Sequence, residues 1–220
     1  MAKFLHSKLF PSFALSHPIS YDRYLIFQDK ARKHRRESIL FLEHYPCLTG
    51  GIGAKAENLL SDLESLQKAG ISLVQIQRGG DYTAHEPGQI VGYLHIDLRQ
   101  RNKQLGDFLS SFTISIRNAC LEIWGLELVE NRTAPGLYLK QTPEKKLVSI
   151  GVYAKSYFTS FGFALNGVND LSTFRHIHPC GGLFSNVVNL SNCGLIKDWE
   201  KEKFRFMGAF QFHFDQLFSR

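Results

Sequence analysis

Arg78-Gly79-Gly80-Asp81-Tyr82-Thr83-Ala84-His85-Glu86-Pro87-Gly88-Gln89 lies between two apolar runs, ISLVQIQ over residues 71–77 and IVGYLHIDL over residues 90–98. Both runs are rich in β-branched and aliphatic residues and read as strands. The stretch between them carries an arginine, a histidine, a proline and several glycines, more chemistry than a connector requires. Glycine lets a backbone approach a ligand closely, and arginine and histidine supply hydrogen-bond donors. The stretch therefore reads as a binding loop slung between strands.

Outward from that loop, the chain alternates helical and strand patterns. Residues 21–36 predict a helix ending in the basic run Lys30-Ala31-Arg32-Lys33-His34-Arg35-Arg36, and Ser38 to Leu42 a short apolar strand. Residues 58–68 predict a helix with Leu59, Leu60, Leu63 and Leu66 on one side and Gly70 as its C-terminal stop. The clearest helix spans residues 105–124, where Phe108, Phe112, Ile116, Ala119, Cys120 and Ile123 recur at helical spacing ahead of Gly125. Residues 136–140 and 147–154 predict a hairpin across the polar loop 141–145, residues 156–165 another strand, and residues 199–218 a terminal helix with a Phe206, Phe210, Phe214, Leu217 core stripe. The order gives an α+β class, with helices packed on a mixed, mostly antiparallel sheet.

With 220 residues, 44% hydrophobic and 21% charged, residues 1–220 are expected to form one globular domain. No apolar run is long enough to span a bilayer, so no membrane association is expected. The segment before Asp22 has lysines and no acid, as organellar presequences do. It lacks arginine and an amphipathic period, however, and reads as a strand lead-in. Cys47, Cys120, Cys180 and Cys193 form no CxxC pair, which suits free thiols in a reducing cytosol and a cytoplasmic location. The net charge of +6 is concentrated in the basic run. Such a run reads as a solvated helix face able to steer an acidic partner. Nucleic acid is not expected as a partner, because no helix-turn-helix, zinc-finger or aromatic RNA-binding pattern accompanies the charge.

Three ordered blocks resemble the octanoyltransferases of the lipoate pathway, the lipoyl(octanoyl) transferases. They are the glycine loop through Tyr93; Lys146-Leu147-Val148-Ser149-Ile150-Gly151; and Gly162-Phe163-Ala164-Leu165-Asn166 followed by Asp170 to Phe174 and Pro179-Cys180-Gly181. Leu42-Glu43-His44-Tyr45-Pro46 also fits. The resemblance implies the biotin/lipoate protein ligase fold and an acyl transfer with Cys180 as nucleophile and Lys146 as general acid and base. It implies a substrate site walled by Arg78, Gly79, Gly80, Asp81, Tyr82, Thr83, Ala84 and His85, by Ser149, Ile150 and Gly151, and by Gly162, Phe163 and Ala164. The implied donor is octanoyl-acyl carrier protein. The implied acceptors are lipoyl domains of 2-oxoacid dehydrogenase acyltransferases and the glycine cleavage H protein. Neither metal nor cofactor is expected, since passing from a thioester to an amide runs downhill.

On residue chemistry alone, other readings stand beside this one. Pro179 and the glycines around Cys180 shape a turn that exposes a thiol, and a nearby cation favours its thiolate. His176 and His178 raise a Cys–His pair as a rival arrangement. An ATP-dependent lipoate or biotin ligase and a non-catalytic acyl-domain-binding protein are the alternatives of function. Leu139, Ile150, Phe163 and Leu165 are candidates for an acyl tunnel, and His44 for the same cavity. Two positions depart from the family pattern: Glu86 replaces a glycine, and Phe161 replaces a histidine common among its members. Glu86 is expected on a loop lining the site, strained if its φ is positive.

Overall fold

A computed structural model describes residues 2–5 (backbone only), 9–131, 135–141, 144–179 and 186–219. Eight strands form one sheet in the order β1 (Ala2–Leu5), β2 (Ser12–Leu15), β3 (Ser38–Leu42), β7 (Gln89–His95), β11 (Phe158–Asn166), β10 (Lys145–Lys155), β9 (Gly136–Leu139), β8 (Leu128–Glu130). Every pairing in it is antiparallel except β2 with β3. A second sheet holds β5 (Ser72–Gln75), β4 (Cys47–Gly50) and β6 (Tyr82–His85), in that order. The helices are α1 (Tyr21–Lys33), α2 (Leu63–Lys68), α3 (Leu105–Trp124) and α4 (Trp199–Phe218). No described helix is long and apolar enough to cross a membrane.

The main sheet is covered on both faces, and β7 shows how. Its residues are all buried, with Ile90 and Leu94 facing one core and Val91 and Tyr93 the other, as the two-residue strand period requires. The first core lies under α3 and α4. There Phe210 meets Phe41, Phe112, Phe163 and Phe214 with ring centroids 5.3–6.2 Å apart. Gly92 leaves room for this packing, because a Cβ there would stand 2.4 Å from the Phe163 ring. The second core gathers Tyr21 and Tyr24 of α1, Cys47 of β4 and Tyr93 of β7. Cys120 is fully buried on the inner face of α3, as expected of a small hydrophobe, and its burial raises the thiol pKa.

Several boundaries differ from the sequence expectation. The helix expected over residues 58–68 begins only at Leu63, where Asp62 caps it by accepting the Ser65 N–H at 2.8 Å. Residues before that cap have another use: Leu59 bridges Ile177, the Leu60 N–H donates to His176 O, and the His178 N–H donates to Asn58 O. Leu60 and Leu63 are consequently exposed rather than on a buried stripe. Helix α1 stops at Lys33. Arg35 lies beyond it at φ 48°, its guanidinium paired with the buried Asp97, which holds that carboxyl below its usual range. The basic run is thus not one continuous solvated face. The glycine-loop stretch contains β6, and β4 was not anticipated at all.

Phe210→Ala removes a ring fully buried at the centre of the helix-side core. It should destabilise the protein by about 3–5 kcal/mol. Urea unfolding followed by circular dichroism checks this, and a loss below 1 kcal/mol would show that the ring cluster is not the core's anchor.

Candidate functional site

Strand β10 places Lys146 where the sheet is irregular. Its pairing with β9 slips between Lys146 and Val148, a bulge that re-aims a side chain out of the regular alternation. The Lys146 arm lies over Gly136, where a Cβ would stand 2.6 Å from Cε, and its Nζ sits 5.6 Å from the centre of the Tyr138 ring. Gly136 has φ 144°, which a side-chain-bearing residue rarely adopts, so glycine answers both needs. Lys146 is only 5% exposed, a buried amine facing a cavity.

That cavity gathers much of what the sequence singled out. Lys146, Ser149, Ile150 and Gly151 of β10 line it beside Gly162, Phe163 and Ala164 of β11. Those two groups are register partners, Ser149 opposite Ala164 and Gly151 opposite Gly162. From the glycine loop, Arg78, Gly80, Thr83 and His85 line it, whereas Gly79, Asp81, Tyr82 and Ala84 do not. The division follows strand alternation in β6. Thr83 and His85 face the cavity, and Tyr82 and Ala84 pack into the core behind the small sheet. Asp81 serves the loop itself, accepting from Lys55 N at 3.2 Å, Tyr82 N at 2.7 Å and the Asn58 amide. Of the proposed tunnel residues, Ile150 and Phe163 line the cavity, while Leu139 and Leu165 sit in the helix-side core. Tyr21, Tyr93, Pro135 and Phe161 complete the lining; Tyr21 carried no sequence signal beyond its helix position.

Apart from Lys146, Arg78 is the one charged side chain among the described lining residues. The Arg78 guanidinium donates to Thr49 O at 2.8 Å, Thr49 Oγ1 at 2.9 Å and Gly79 O at 3.0 Å, which ties the loop to β4. Gly151 makes space for it, since a Cβ there would stand 2.7 Å from Arg78 Cδ. His44 Nδ1 lies 3.1 Å from Ile19 O, so it must carry the proton, and Nε2 accepts from the Tyr93 hydroxyl at 2.9 Å. Burial lowers the His44 pKa to about 4 and, with His44 and Arg78 nearby, puts His85 well below its ordinary value. Both rings are neutral at pH 7. His85 Nδ1 has no hydrogen-bond partner among the described residues.

Cys180 lies outside the described residues. The chain on either side of it is placed. Residues 176–178 pair with residues 58–60, and after the segment Val187 bridges Lys146, with the Val188 N–H donating to Lys146 O at 3.0 Å. His176 ends a short 3-10 turn, Ser172–His176, so the two histidines do not share a strand face; His176 Nδ1 meets Ser61 Oγ at 2.8 Å.

Glu86 is not where the sequence suggested. It has no positive φ and does not line the cavity; the positive-φ positions of the loop are Gly80 and Gly88, which glycine occupies without strain. Its buried carboxylate accepts from Asn169 Nδ2 at 2.8 Å and from the Thr173 N–H at 2.9 Å, fastening the turn that leads toward Cys180. Phe161 departs from the ordinary differently. It sits inside β11 at φ 65°, a conformation costing about 1–3 kcal/mol for a bulky residue.

Residues 16–207 match the family described as lipoyl protein ligase A/B catalytic domain. An octanoyltransferase of Leptospira interrogans is 49% identical over 177 residues, covering 80% of this chain and 82% of its own. One from Leptospira borgpetersenii is 47% identical, covering 83% and 84%, and one from Solibacter usitatus 34% identical, covering 90% of each. Among solved structures, a bipartite lipoate protein ligase from Thermoplasma acidophilum superposes with TM-score 0.70 at 15% identity over 91% of this chain and 82% of its own. Lipoate-protein ligase A bound with ATP gives 0.66 at 17% over 93% and 84%. These two likenesses establish the fold.

Two measurements test the site's physical basis. His44 and His95 titrate near 4 when folded, against about 6.5 unfolded. The unfolded chain therefore binds more protons between those values, and stability is lost as pH falls from about 6.5 toward 4, by roughly 3 kcal/mol per histidine. The urea midpoint should drop steeply between pH 7 and pH 4.5, and equal midpoints would contradict the neutral buried histidines. Separately, Glu86→Gly should cost about 2–3 kcal/mol, because two donors lose a charged acceptor. An unchanged melting temperature would show that the Asn169 and Thr173 contacts contribute nothing.

Proposed function

The chain belongs to the octanoyltransferases of the lipoyl protein ligase A/B catalytic-domain family, and from that membership we propose a two-step transfer from octanoyl-acyl carrier protein to the lysine of a lipoyl domain. In the first step the Cys180 thiolate attacks the carrier thioester carbon. The carbon–sulfur bond to the carrier breaks, and the departing thiolate takes a proton from the Lys146 ammonium. In the second, the acceptor lysine amine attacks the Cys180 thioester. Neutral Lys146 accepts the amine proton, an amide forms, and the Cys180 thiolate is restored. No nucleotide enters the balance, because the thioester supplies the driving force.

The observation that carries this reading is the setting of Lys146. It is a buried amine at a strand bulge, directed into a cavity by Gly136, and its own backbone pairs with the segment that follows Cys180. A proton donor and acceptor held beside the chain bearing the nucleophile is what covalent catalysis needs. The neutral aromatic and histidine wall suits a water-poor acyl site. The acceptors under this reading are lipoyl domains of 2-oxoacid dehydrogenase acyltransferases and the glycine cleavage H protein. An acidic carrier protein has the exposed Lys30, Lys33 and Arg36 at the end of α1 to meet, while Arg32 is paired with Asp29 and Arg35 with Asp97. Residues 1–220 act as one catalytic domain in the cytoplasm.

Intact-mass spectrometry after mixing with octanoyl-acyl carrier protein tests the scheme. Wild type should gain one octanoyl group, discharged by an apo lipoyl domain without ATP. Cys180→Ser should form no adduct, and Lys146→Ala should slow acylation by about 10²–10⁴-fold. Transfer that persists in Cys180→Ser would defeat the mechanism, and a strict ATP requirement would make the protein a ligase.

A further inference from the structure

The space at Lys146 amounts to about 30 Å³, enough for about two waters. An octanoyl tail is larger, so a wall must yield when it enters. A second cavity of about 210 Å³ lies behind that wall, lined by Leu25, Gln28 and Arg32 of α1, Gln75 of β5, and Tyr153 of β10. Among the described residues, Phe161 is the one side chain that lines both spaces.

Phe161 reaches this place by breaking the strand rule. Regular alternation along β11 would point it to the same face as Phe163 and Leu165, which pack under the helices. Its partner across the ladder, Val152, does pack there. Phe161 instead belongs to the opposite core with Tyr24, Tyr93 and Ala164. The left-handed φ of 65° accomplishes the reversal, and its N–H donates to the Tyr24 hydroxyl at 3.1 Å. Backbone strain held in place by surrounding structure is a mark of functional positions.

Phe161 also stands at the far end of the cavity from Lys146. The lining runs along β10 from Lys146 to Gly151 and along the antiparallel β11 from Ala164 to Phe161, which pairs with Val152 just beyond Gly151. A thioester held at Lys146 thus directs its alkyl tail along β10 and β11 toward Phe161.

We propose that Phe161 is the end wall of the acyl site and a specificity-determining residue: how far its ring retreats into the second cavity sets the longest acyl chain accepted. The inference rests on the acyl-transfer reading and adds to it the residue that measures the chain. The retreat has room because the second cavity is larger than the space in front of the ring. Beyond the ring, Gln28 Oε1 is buried with no hydrogen-bond partner among the described residues, so Phe161 also separates an apolar tail from a polar chamber.

The test compares wild type, Phe161→Gly and Phe161→Leu on hexanoyl, octanoyl, decanoyl and dodecanoyl thioesters. Glycine accepts a positive φ without strain, so Phe161→Gly should fold, which near-ultraviolet circular dichroism verifies, and Phe161→Leu provides a second reduction in size. The ratio of dodecanoyl to octanoyl kcat/KM should rise at least tenfold in Phe161→Gly and by an intermediate factor in Phe161→Leu. An unchanged ratio in both folded variants overturns the end wall. Calorimetric binding of the corresponding free fatty acids repeats the comparison without any transfer step. A shift toward longer acids in Phe161→Gly upholds the wall even if no thioester reacts, an outcome that would sink the transfer reading alone; identical chain-length profiles in binding would overturn the wall while leaving transfer intact.

Discussion

Burial of both faces of the β3–β7–β11–β10 ladder is the constraint on which the rest of the molecule depends. One face is closed by phenylalanines from α3 and α4 packed against Phe41 and Phe163. No helix of that kind covers the other face. It meets α1 and the small three-stranded sheet, and tyrosines and histidines stand there among aliphatic residues such as Leu40, Leu42 and Val91. A polar tip on an aromatic body usually finds a partner when buried. The network from Ile19 O through His44 to Tyr93, and from Tyr24 to the Phe161 N–H, supplies several of those partners. The cavity forms on this second face, where the cover is less uniformly apolar.

Amides and carboxylates then join the glycine loop to the chain around Cys180. Glu43 accepts from the Gly88 N–H and from Lys203 of α4. Gln89 donates to Ala84 O and Asn166 Oδ1, Asn166 donates to Val188 O, and Asn189 donates to Asn169 O. Glu86 adds its bonds to Asn169 and Thr173. Buried networks of this kind specify geometry strongly, because each unpaired member costs desolvation, and among these residues Asn169 Oδ1 is the acceptor left without a partner. Strand β6, which carries Thr83 and His85 to the cavity, is therefore locked to the segments on either side of the stretch that contains Cys180. Gly88 belongs to the same junction, since a Cβ there would stand 2.6 Å from Asn169 N.

Much of the candidate site's character follows from exclusion of water rather than from exposed charge. Arg78 is spent on Thr49 and Gly79, and both His85 in the lining and His44 packed behind it, which the sequence suggested for the cavity but which does not reach it, are neutral. Lys146 is the amine directed into this space. A lining in which the Arg78 guanidinium is already held by oxygens and Lys146 alone among the described lining residues presents an amine suits a step in which a proton moves while the acyl group stays dry.

The sequence by itself determined the α+β class, the helices α3 and α4, and the strands β10 and β11. Each is a long segment whose hydrophobic period is set by its own local geometry. It also marked Lys146, Cys180 and the glycine loop through ordered motifs, and through them the family. Tertiary structure decided what depends on partners distant in the chain. It gave residues 58–60 to pairing with 176–178 instead of to α2, and drew β4 and β6 into a separate sheet. It divided the glycine loop into lining and supporting residues, and turned Glu86 from a feature of the cavity into an anchor behind it. It also set Phe161 against the strand's alternation. A one-dimensional period carries no record of these choices, because each is stabilised by neighbours the period does not contain.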